Sequence, residues 1–158
     1  TGGKQERVRR AGTENVTLAV GFAKALEWYL ENQERLQKQN THFREKVLDI
    51  ISNIDGFFQN TNLDQSLHHT LNFGFSGISA ESLLISLDLD GVAVSTGSAC
   101  SSGAMEESHV LLAMGRSRAE AKSSLSVSWR WSTKEDEIDY FLDKLTHHIH
   151  RLRQKQLN

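Results

Sequence analysis

Proline is absent from this sequence of 158 residues, although average usage of about 5% would supply roughly eight. Its absence excludes a polyproline linker, a proline-rich ligand segment and a native cis-proline turn. Long apolar runs are also lacking, since no stretch approaches the roughly 20 residues that cross a bilayer. The 18 Lys and Arg residues nearly balance 20 Asp and Glu residues. We therefore predict no membrane span and no nucleic-acid partner.

Cysteine is almost absent as well. Cys100 is the single cysteine, so the chain forms no intramolecular disulfide and no multi-cysteine zinc site. A reducing compartment is the simplest inference, and we predict a cytoplasmic protein. The first residues carry no apolar core and do not predict a signal peptide. The content of 38% hydrophobic and 24% charged residues is typical of a soluble globular domain.

A long helix is predicted near the N-terminus, because apolar residues recur every three to four positions across residues 13–54. Thr13 is the predicted N-cap residue, and Glu14 would lie in the first turn. Roughly 40 residues is long for one globular helix, and residues 32–40 carry only Leu36 as an apolar anchor. Two interpretations stay open: two helices, or one solvent-bridging helix between two bodies.

Short strands and helices are predicted to alternate over the rest of the chain. The predicted strands cover residues 57–59, 67–75, 92–94 and 125–131, and the predicted helices cover 80–89 and 106–114, followed by one short helix and one long C-terminal helix. Ser79, Ser117 and Ser132 are the predicted caps. This order predicts an α/β fold in which helices pack on a small, mostly antiparallel sheet and a long N-terminal helix precedes them.

The loop S-T-G-S-A-C-S-S-G-A at residues 95–104 is unusual, because every residue except Cys100 is Ser, Thr, Gly or Ala. Such a segment has little apolar area to fix it in place. A mobile, accessible thiol suits a nucleophile that must visit two places, whereas a buried and inert cysteine is the alternative. Local composition leaves both open. No Lys or Arg in the loop is available to activate the thiol.

The N-terminal segment GGKQERVRRAGTEN has two functional interpretations. Its arginines, its glycine pair and Thr13 at a helix start have the chemistry of an anion-binding site. The alternative is a solvated basic turn that precedes a helix. The histidines predict no metal site, because His147 and His150 share a helix face without a nearby carboxylate or thiol.

Five motifs occur in order along the chain: Q-E-R-x-x-R-x-G-T-x-N before the first helix, L-N-F at 71–73, G-S-A-C at 97–100, S-H-V-L-L-A-M-G at 108–115, and E-I-D in the last helix. In combination they resemble the C-terminal part of the cysteine desulfurases, which have the class V aminotransferase fold. The resemblance covers essentially the whole chain. It implies that residues 1–30 are the tail of a large cofactor-binding domain and that residues 31–158 form the small C-terminal domain.

The resemblance also implies an activity. Members of this family use pyridoxal phosphate as an electron sink to take sulfur from L-cysteine, leaving L-alanine. By resemblance Cys100 is the nucleophile that becomes a persulfide and passes sulfur to an acceptor protein, such as an iron-sulfur scaffold. Thr13 matches the residue that contacts the cofactor phosphate of the neighbouring subunit, which implies a homodimer.

The sequence departs from the family pattern at the cofactor and substrate sites. The cofactor lysine of the family precedes the Q-E-R motif, and Lys4 lies at the wrong point to replace it. The family arginine that holds the substrate carboxylate corresponds to Ser126. Arg130 is the remaining candidate on the same predicted strand face, although roughly 13 Å separates the two positions. His68 and Glu107 stand where the family has proline.

Three functional hypotheses follow. The first is the C-terminal portion of a cysteine desulfurase, which we expect to be inactive without the missing lysine. The second is a non-catalytic sulfur-relay or dimerisation module of the same fold, which Ser126 favours. The third is a stand-alone redox thiol protein that uses Cys100.

Overall fold

The structure is a computed structural model that describes residues 2, 3, 5, 7, 9, 11–96 and 107–156. The chain divides into two units, Thr1–Leu36 and Gln37–Asn158. No helix within the described ranges combines the length and the apolar content that crossing a bilayer requires. The division into residues 1–30 and 31–158 stays a prediction about a larger protein.

The first helix, α1, covers Val16–Ile51 without interruption. The single-helix interpretation is therefore right. Thr13 is not the N-cap residue: Asn15 has that role, because its Oδ1 accepts the backbone N–H of Leu18 at 3.0 Å. An asparagine directly before the first turn satisfies an unpaired helix amide in the same way as a threonine. Glu14 consequently lies outside the first turn.

The part of α1 that belongs to the first unit carries many large apolar side chains that are exposed to solvent. These are Val16, Leu18, Val20, Phe22, Leu26, Trp28, Tyr29 and Leu30. Isolated exposed apolar residues are common on protein surfaces, whereas eight within 15 positions mark an apolar segment that a partner surface would stabilise.

A four-stranded sheet organises the second unit. Its strands are β1 (Phe57–Gln59), β2 (Thr70–Phe75), β3 (Ser95–Thr96) and β4 (Ser124–Ser128), in the spatial order β1-β2-β4-β3. All three pairs are antiparallel. The helices are α2 (Ala80–Leu89), α3 (His109–Ala113), α4 (Arg118–Lys122) and α5 (Glu135–Gln156). The predicted fold class, helices on a small antiparallel sheet after a long N-terminal helix, is confirmed.

One face of the sheet forms the core together with three helices. Alternate residues of β2 and β4 point to this face because successive side chains of a strand lie on opposite sides. They join apolar residues of α1, α2 and α5 in one buried cluster, which includes Phe43, Val47, Leu71, Phe73, Leu83, Leu87, Leu125, Val127, Leu145 and Ile149. The apolar side of α5 extends from Ile138 to Leu152, which is its partly buried last member.

The predicted caps are right at two helices and wrong at the third. Ser79 accepts the N–H of Ser82, and Ser117 forms a complete capping box with Glu120. Ser132 does not cap α5. The helix begins at Glu135, and Glu137 accepts the N–H of Lys134 at 2.8 Å. Ser132 therefore lies two residues too early to cap this helix.

Two strand predictions need correction. The strand predicted at residues 92–94 lies instead at Ser95–Thr96, because pairing with β4 sets its position. Val92 follows the end of α2, and its N–H donates to the backbone oxygen of Leu87. The strand predicted at 125–131 ends at Ser128. Trp129 is buried, but Trp131 is 60% exposed, so these two residues do not share an apolar face.

Candidate functional site

The sheet face opposite the core is lined by uncharged polar side chains. We call Thr70, Asn72, Ser126 and Ser128 the polar face. Thr70 stands opposite Ser128 and Asn72 opposite Ser126 in the β2–β4 register. This alternation of apolar and polar residues places Ser126, the position where the family resemblance expects an arginine, on the side of the sheet away from the core.

A chain of hydrogen bonds runs from α4 to Ser126 along this side of the sheet. Ser124 Oγ donates to the backbone oxygen of Glu120 at 2.7 Å. Asn60 Nδ2 donates to Ser124 Oγ at 2.9 Å and to Asn72 Oδ1 at 2.7 Å. Asn72 Nδ2 donates to Ser126 Oγ at 2.7 Å. Asn60 and Ser124 are buried, so the chain is anchored inside the protein.

The backbone just after β1 holds Asn72 in place. The N–H groups of Asn60 and Thr61 both donate to the backbone oxygen of Asn72, at 2.9 and 3.1 Å. Thr61 Oγ1 in turn accepts the backbone N–H of Asn72 at 2.6 Å. Asn72 is therefore fixed through backbone and side chain. The L-N-F motif marked this asparagine, but its partners 11 and 12 residues away are set by the β1–β2 pairing.

Arg130 does not share a strand face with Ser126, contrary to prediction. It lies beyond the end of β4, is exposed, and its backbone N–H donates to Thr133 Oγ1 at 3.1 Å in the turn before α5. Strand geometry no longer applies there, because the ladder ends at Ser128. The structure therefore removes the only argument that linked Arg130 to the substrate carboxylate.

Arg116 lies near the β1 end of the sheet and was not singled out by the sequence. Its guanidinium is 5.5 Å from the centroid of the Phe58 ring, a cation–π distance. It also donates to the backbone oxygen of Gln59, and its Nη1 lies 3.1 Å from Glu120 Oε1. Through these contacts the guanidinium joins β1 to α4.

Thr13 is exposed, two residues before the Asn15 cap of α1. A hydroxyl beside a helix start fits the phosphate contact expected from the resemblance. The cofactor lysine of the family has no counterpart among the four residues of the polar face. Four lysines of the described part of the chain are paired with carboxylates: Lys24, Lys46, Lys122 and Lys144. Among the described residues, the hydroxyl of Thr13 has the chemistry to bind the phosphate of pyridoxal phosphate.

Cys100 lies outside the described residues. The chain on its N-terminal side is described as far as Thr96, which pairs with Leu125, while Ser95 stands opposite Ser126. The described chain before this segment therefore ends on the strand next to Ser126. On its C-terminal side Glu107 lies 3.4 Å from Lys122 Nζ, which links this end to α4.

The histidines of α5 pack rather than converge. His148 is buried, and its Nε2 lies 2.7 Å from Asp90 Oδ2. The rings of His147 and His148 meet edge to face with centroids 5.2 Å apart. Over the part of the chain that the structure describes, no group of three or more His, Cys, Asp or Glu side chains is arranged to hold a metal ion.

The comparison with protein families gives the class of this protein. The model for the aminotransferase class-V family matches residues 3–141, so the chain belongs to that family. Among individual proteins, a cysteine desulfurase of Nostoc sp. is 40% identical over 153 residues. The cysteine desulfurase IscS of Dictyoglomus turgidum is 37% identical over the same length. Each alignment covers 96% of this chain and 38% or 39% of the relative.

Solved structures agree with this assignment. A NifS-like protein matches with a TM-score of 0.82 and 34% identity, over 96% of this chain and 38% of that one. The NifS-like protein of Rickettsia africae matches with a TM-score of 0.80 and 27% identity, over 92% and 38% respectively. The chain thus spans less than half the length of the proteins it matches, and the resemblance to the cysteine desulfurases is confirmed.

Proposed function

We propose that this chain is the C-terminal part of a cysteine desulfurase that takes sulfur from L-cysteine and carries it as a persulfide on Cys100. The observation that carries the proposal is the 40% identity to curated cysteine desulfurases over 153 residues, a length that must include the G-S-A-C motif. The product would be L-alanine. The outer sulfur would pass to the thiol of an acceptor protein, as in the assembly of iron-sulfur clusters.

The position of β3 supports this role for Cys100. Cys100 follows Thr96 by four residues, which limits the distance between their Cα atoms to roughly 14 Å. Thr96 and Ser95 pair with Leu125 and Ser126 on β4. This limit keeps the Cα of Cys100 within roughly 14 Å of the strand that pairs with Ser126, beside which the substrate would lie.

The reaction divides between this chain and the rest of the protein. Pyridoxal phosphate, when bound by the complete protein, supplies the electron sink for cleavage of the C–S bond. Cys100 would attack the substrate sulfur as a thiolate and form a new S–S bond. Thr13 would donate a hydrogen bond to the cofactor phosphate of a second subunit, so the active form would be a homodimer.

A second function is favoured by Ser126. A neutral serine where the family has an arginine fits a non-catalytic sulfur-relay or dimerisation module of the same fold. In that case Cys100 would receive sulfur from another protein, and L-cysteine would not be a substrate.

The two functions separate in one experiment on the complete protein, encoded by the full reading frame and loaded with pyridoxal phosphate. L-Cysteine is added, L-alanine is quantified, and the peptide that contains Cys100 is examined by mass spectrometry for one added sulfur atom. We expect L-alanine and a persulfide in the parent, and neither product on multiple turnover in Cys100→Ser. A complete protein that binds the cofactor but releases no L-alanine would overturn the desulfurase and support the relay module.

A further inference from the structure

The outer edge of β4 has one free position in its hydrogen-bond ladder. Pairing with β3 reaches only as far as Ser126, and residues 92–94 belong to no strand. The N–H of Trp129 donates to the backbone oxygen of His69, on the β2 side. Because the backbone groups of successive strand residues point alternately to the two sides, the N–H and C=O of Ser128 point away from β2. Among the described residues neither group has a hydrogen-bond partner.

A cavity of about 500 Å³ lies beside this free position. Ser128 lines it together with residues 91–94 and the start of α5. Much of its lining is apolar and belongs to the core cluster or packs against it: Val92, Val94, Val127, Trp129, Ile138 and Phe141. This wall therefore lies on the core side of the sheet, whereas the polar face is on the other side. A cavity of this size and composition accommodates a large apolar group.

The rim of the cavity carries two carboxylates. Asp136 and Glu137 are exposed in the first turn of α5, and both line the cavity. Their neighbour Glu135 pairs with Lys46. Asp136 and Glu137 themselves have no ion pair within the described part of the chain. Acidic residues suit the start of a helix, but these two also give the mouth of the cavity a negative potential that attracts a cation.

We propose that the free edge of β4 and this cavity form a docking site for an extended segment of a partner protein that carries an apolar residue and a basic residue two positions apart. The backbone of the segment pairs with Ser128, as when a peptide adds a strand to the edge of a sheet. Its apolar side chain fills the cavity, and its basic side chain meets Asp136 and Glu137. The spacing is two because alternate residues of an extended chain share a face. This site goes beyond the proposed function and does not depend on it.

The test is a titration of the complete protein, encoded by the full reading frame, into the peptide Thr-Phe-Thr-Lys-Thr-amide labelled at its N-terminus with a neutral fluorophore. Binding is followed by fluorescence anisotropy. One control peptide, Thr-Phe-Thr-Gln-Thr-amide, lacks the cation. A second, Thr-Phe-Lys-Thr-Thr-amide, has the same composition but places the lysine on the opposite face.

We expect saturable binding of the first peptide. Both control peptides should bind roughly two- to fivefold more weakly at low salt, the loss equivalent to one exposed ion pair. This difference should shrink as salt is added, because screening acts on the charge pair.

Two pairs of variants test the two kinds of contact. Ser128→Pro removes the outward N–H, at an edge position where proline is tolerated, and should weaken binding roughly two- to tenfold. Ser128→Ala also removes the hydroxyl but keeps the N–H, so it should bind like the parent. Asp136→Asn should weaken binding roughly two- to fivefold, and its amide oxygen can still accept the N–H of Glu137, as Asp136 Oδ1 does at 3.0 Å. Asp143→Asn removes the same charge at an exposed position two turns along α5, outside the cavity, and should bind like the parent. Thermal unfolding shows which variants are folded.

Four results would each overturn the site. The first is the absence of saturable binding to the complete protein, which is also the result if another segment of that protein or a second copy already fills the cavity. The second is equal binding of the three peptides. The others are equal losses in Asp136→Asn and Asp143→Asn, and equal binding by folded Ser128→Pro and Ser128→Ala.

Discussion

The imidazole Nε2 of His148 lies 2.7 Å from Oδ2 of Asp90 and joins the middle of α5 to the residue that ends α2. Tyr140 reinforces the same contact, since its hydroxyl donates to the backbone oxygen of Asp90 at 3.0 Å. The hydrogen bond from His148 is the main reason that the pKa of the Asp90 carboxyl lies below its ordinary value of 3.8. The contact therefore stabilises the ionised form of Asp90.

This pKa shift predicts acid sensitivity of the fold. A carboxyl whose pKa is lowered by folding stabilises the protein above its unfolded pKa, and the contribution is lost as pH falls through the folded value. Urea unfolding midpoints measured between about pH 2.5 and 5 should fall more steeply in the parent than in Asp90→Asn. Asp88→Asn, two residues earlier in α2, is the control and should follow the parent. Parallel curves for the parent and Asp90→Asn would contradict the prediction.

Two leucines at the end of α2 test the assignment of the core. Leu87 is fully buried, whereas Leu89 is 83% exposed. Leu87→Ala should lower the free energy of unfolding by about 2–5 kcal/mol, because it removes apolar contacts and leaves a cavity. Leu89→Ala should change it by less than about 0.5 kcal/mol. Chemical denaturation measures the free energy of unfolding of both variants. Similar losses would contradict the assignment of Leu87 to the core.

The capping box of α4 predicts a difference between two serines with the same S-x-x-E spacing. Ser117 Oγ accepts the N–H of Glu120, whose carboxylate accepts the N–H of Ser117 at 2.8 Å. Ser117→Ala should therefore destabilise the protein by about 0.5–2 kcal/mol. Ser132→Ala should be close to neutral, since Ser132 lies two residues before the N-cap position of α5. The reverse order of the two losses in thermal unfolding would refute this assignment.

A close approach across the sheet leaves no room for a side chain at Gly74. A Cβ atom at Gly74 would lie 2.4 Å from Cζ of Phe58 and 2.4 Å from the backbone oxygen of Ser123. Gly74→Ala should cost about 1–3 kcal/mol, because the backbone must shift to admit it. Gly21→Ala meets no neighbouring atom and should raise helicity instead, since alanine is favoured over glycine in a helix. Calorimetry and circular dichroism distinguish the two, and a stable Gly74→Ala variant would contradict the packing.

Local signals in the sequence predicted the elements that local interactions define. The bounds of α2 follow from the Ser79 cap and the Asp90-Gly91 stop, both within a few residues of the helix. Elements set by distant partners were placed less well. β3 consists of Ser95–Thr96 because β4 pairs there, and the apolar character of residues 92–94 does not encode that register.

The same difference between local signals and distant partners applies to the residues of the site. Motif resemblance pointed to Ser126 as the position that lacks an arginine, and in the structure Ser126 lies on β4 opposite Ser95 of β3. Asn60 drew no attention because nothing near it in the sequence is chemically unusual. Its role depends on Ser124, 64 positions away, so only the folded sheet brings the two together.

The sheet edges bear on how this protein would aggregate. The outermost strands, β1 and β3, contain only three and two residues, so each offers few free backbone groups to a foreign strand. Short edge strands are one means by which proteins prevent edge-to-edge growth of sheets. The exposed apolar residues between Val16 and Leu30 have no comparable feature that would prevent self-association. Self-association at high concentration should therefore proceed through helix contacts, and it should not increase the β content.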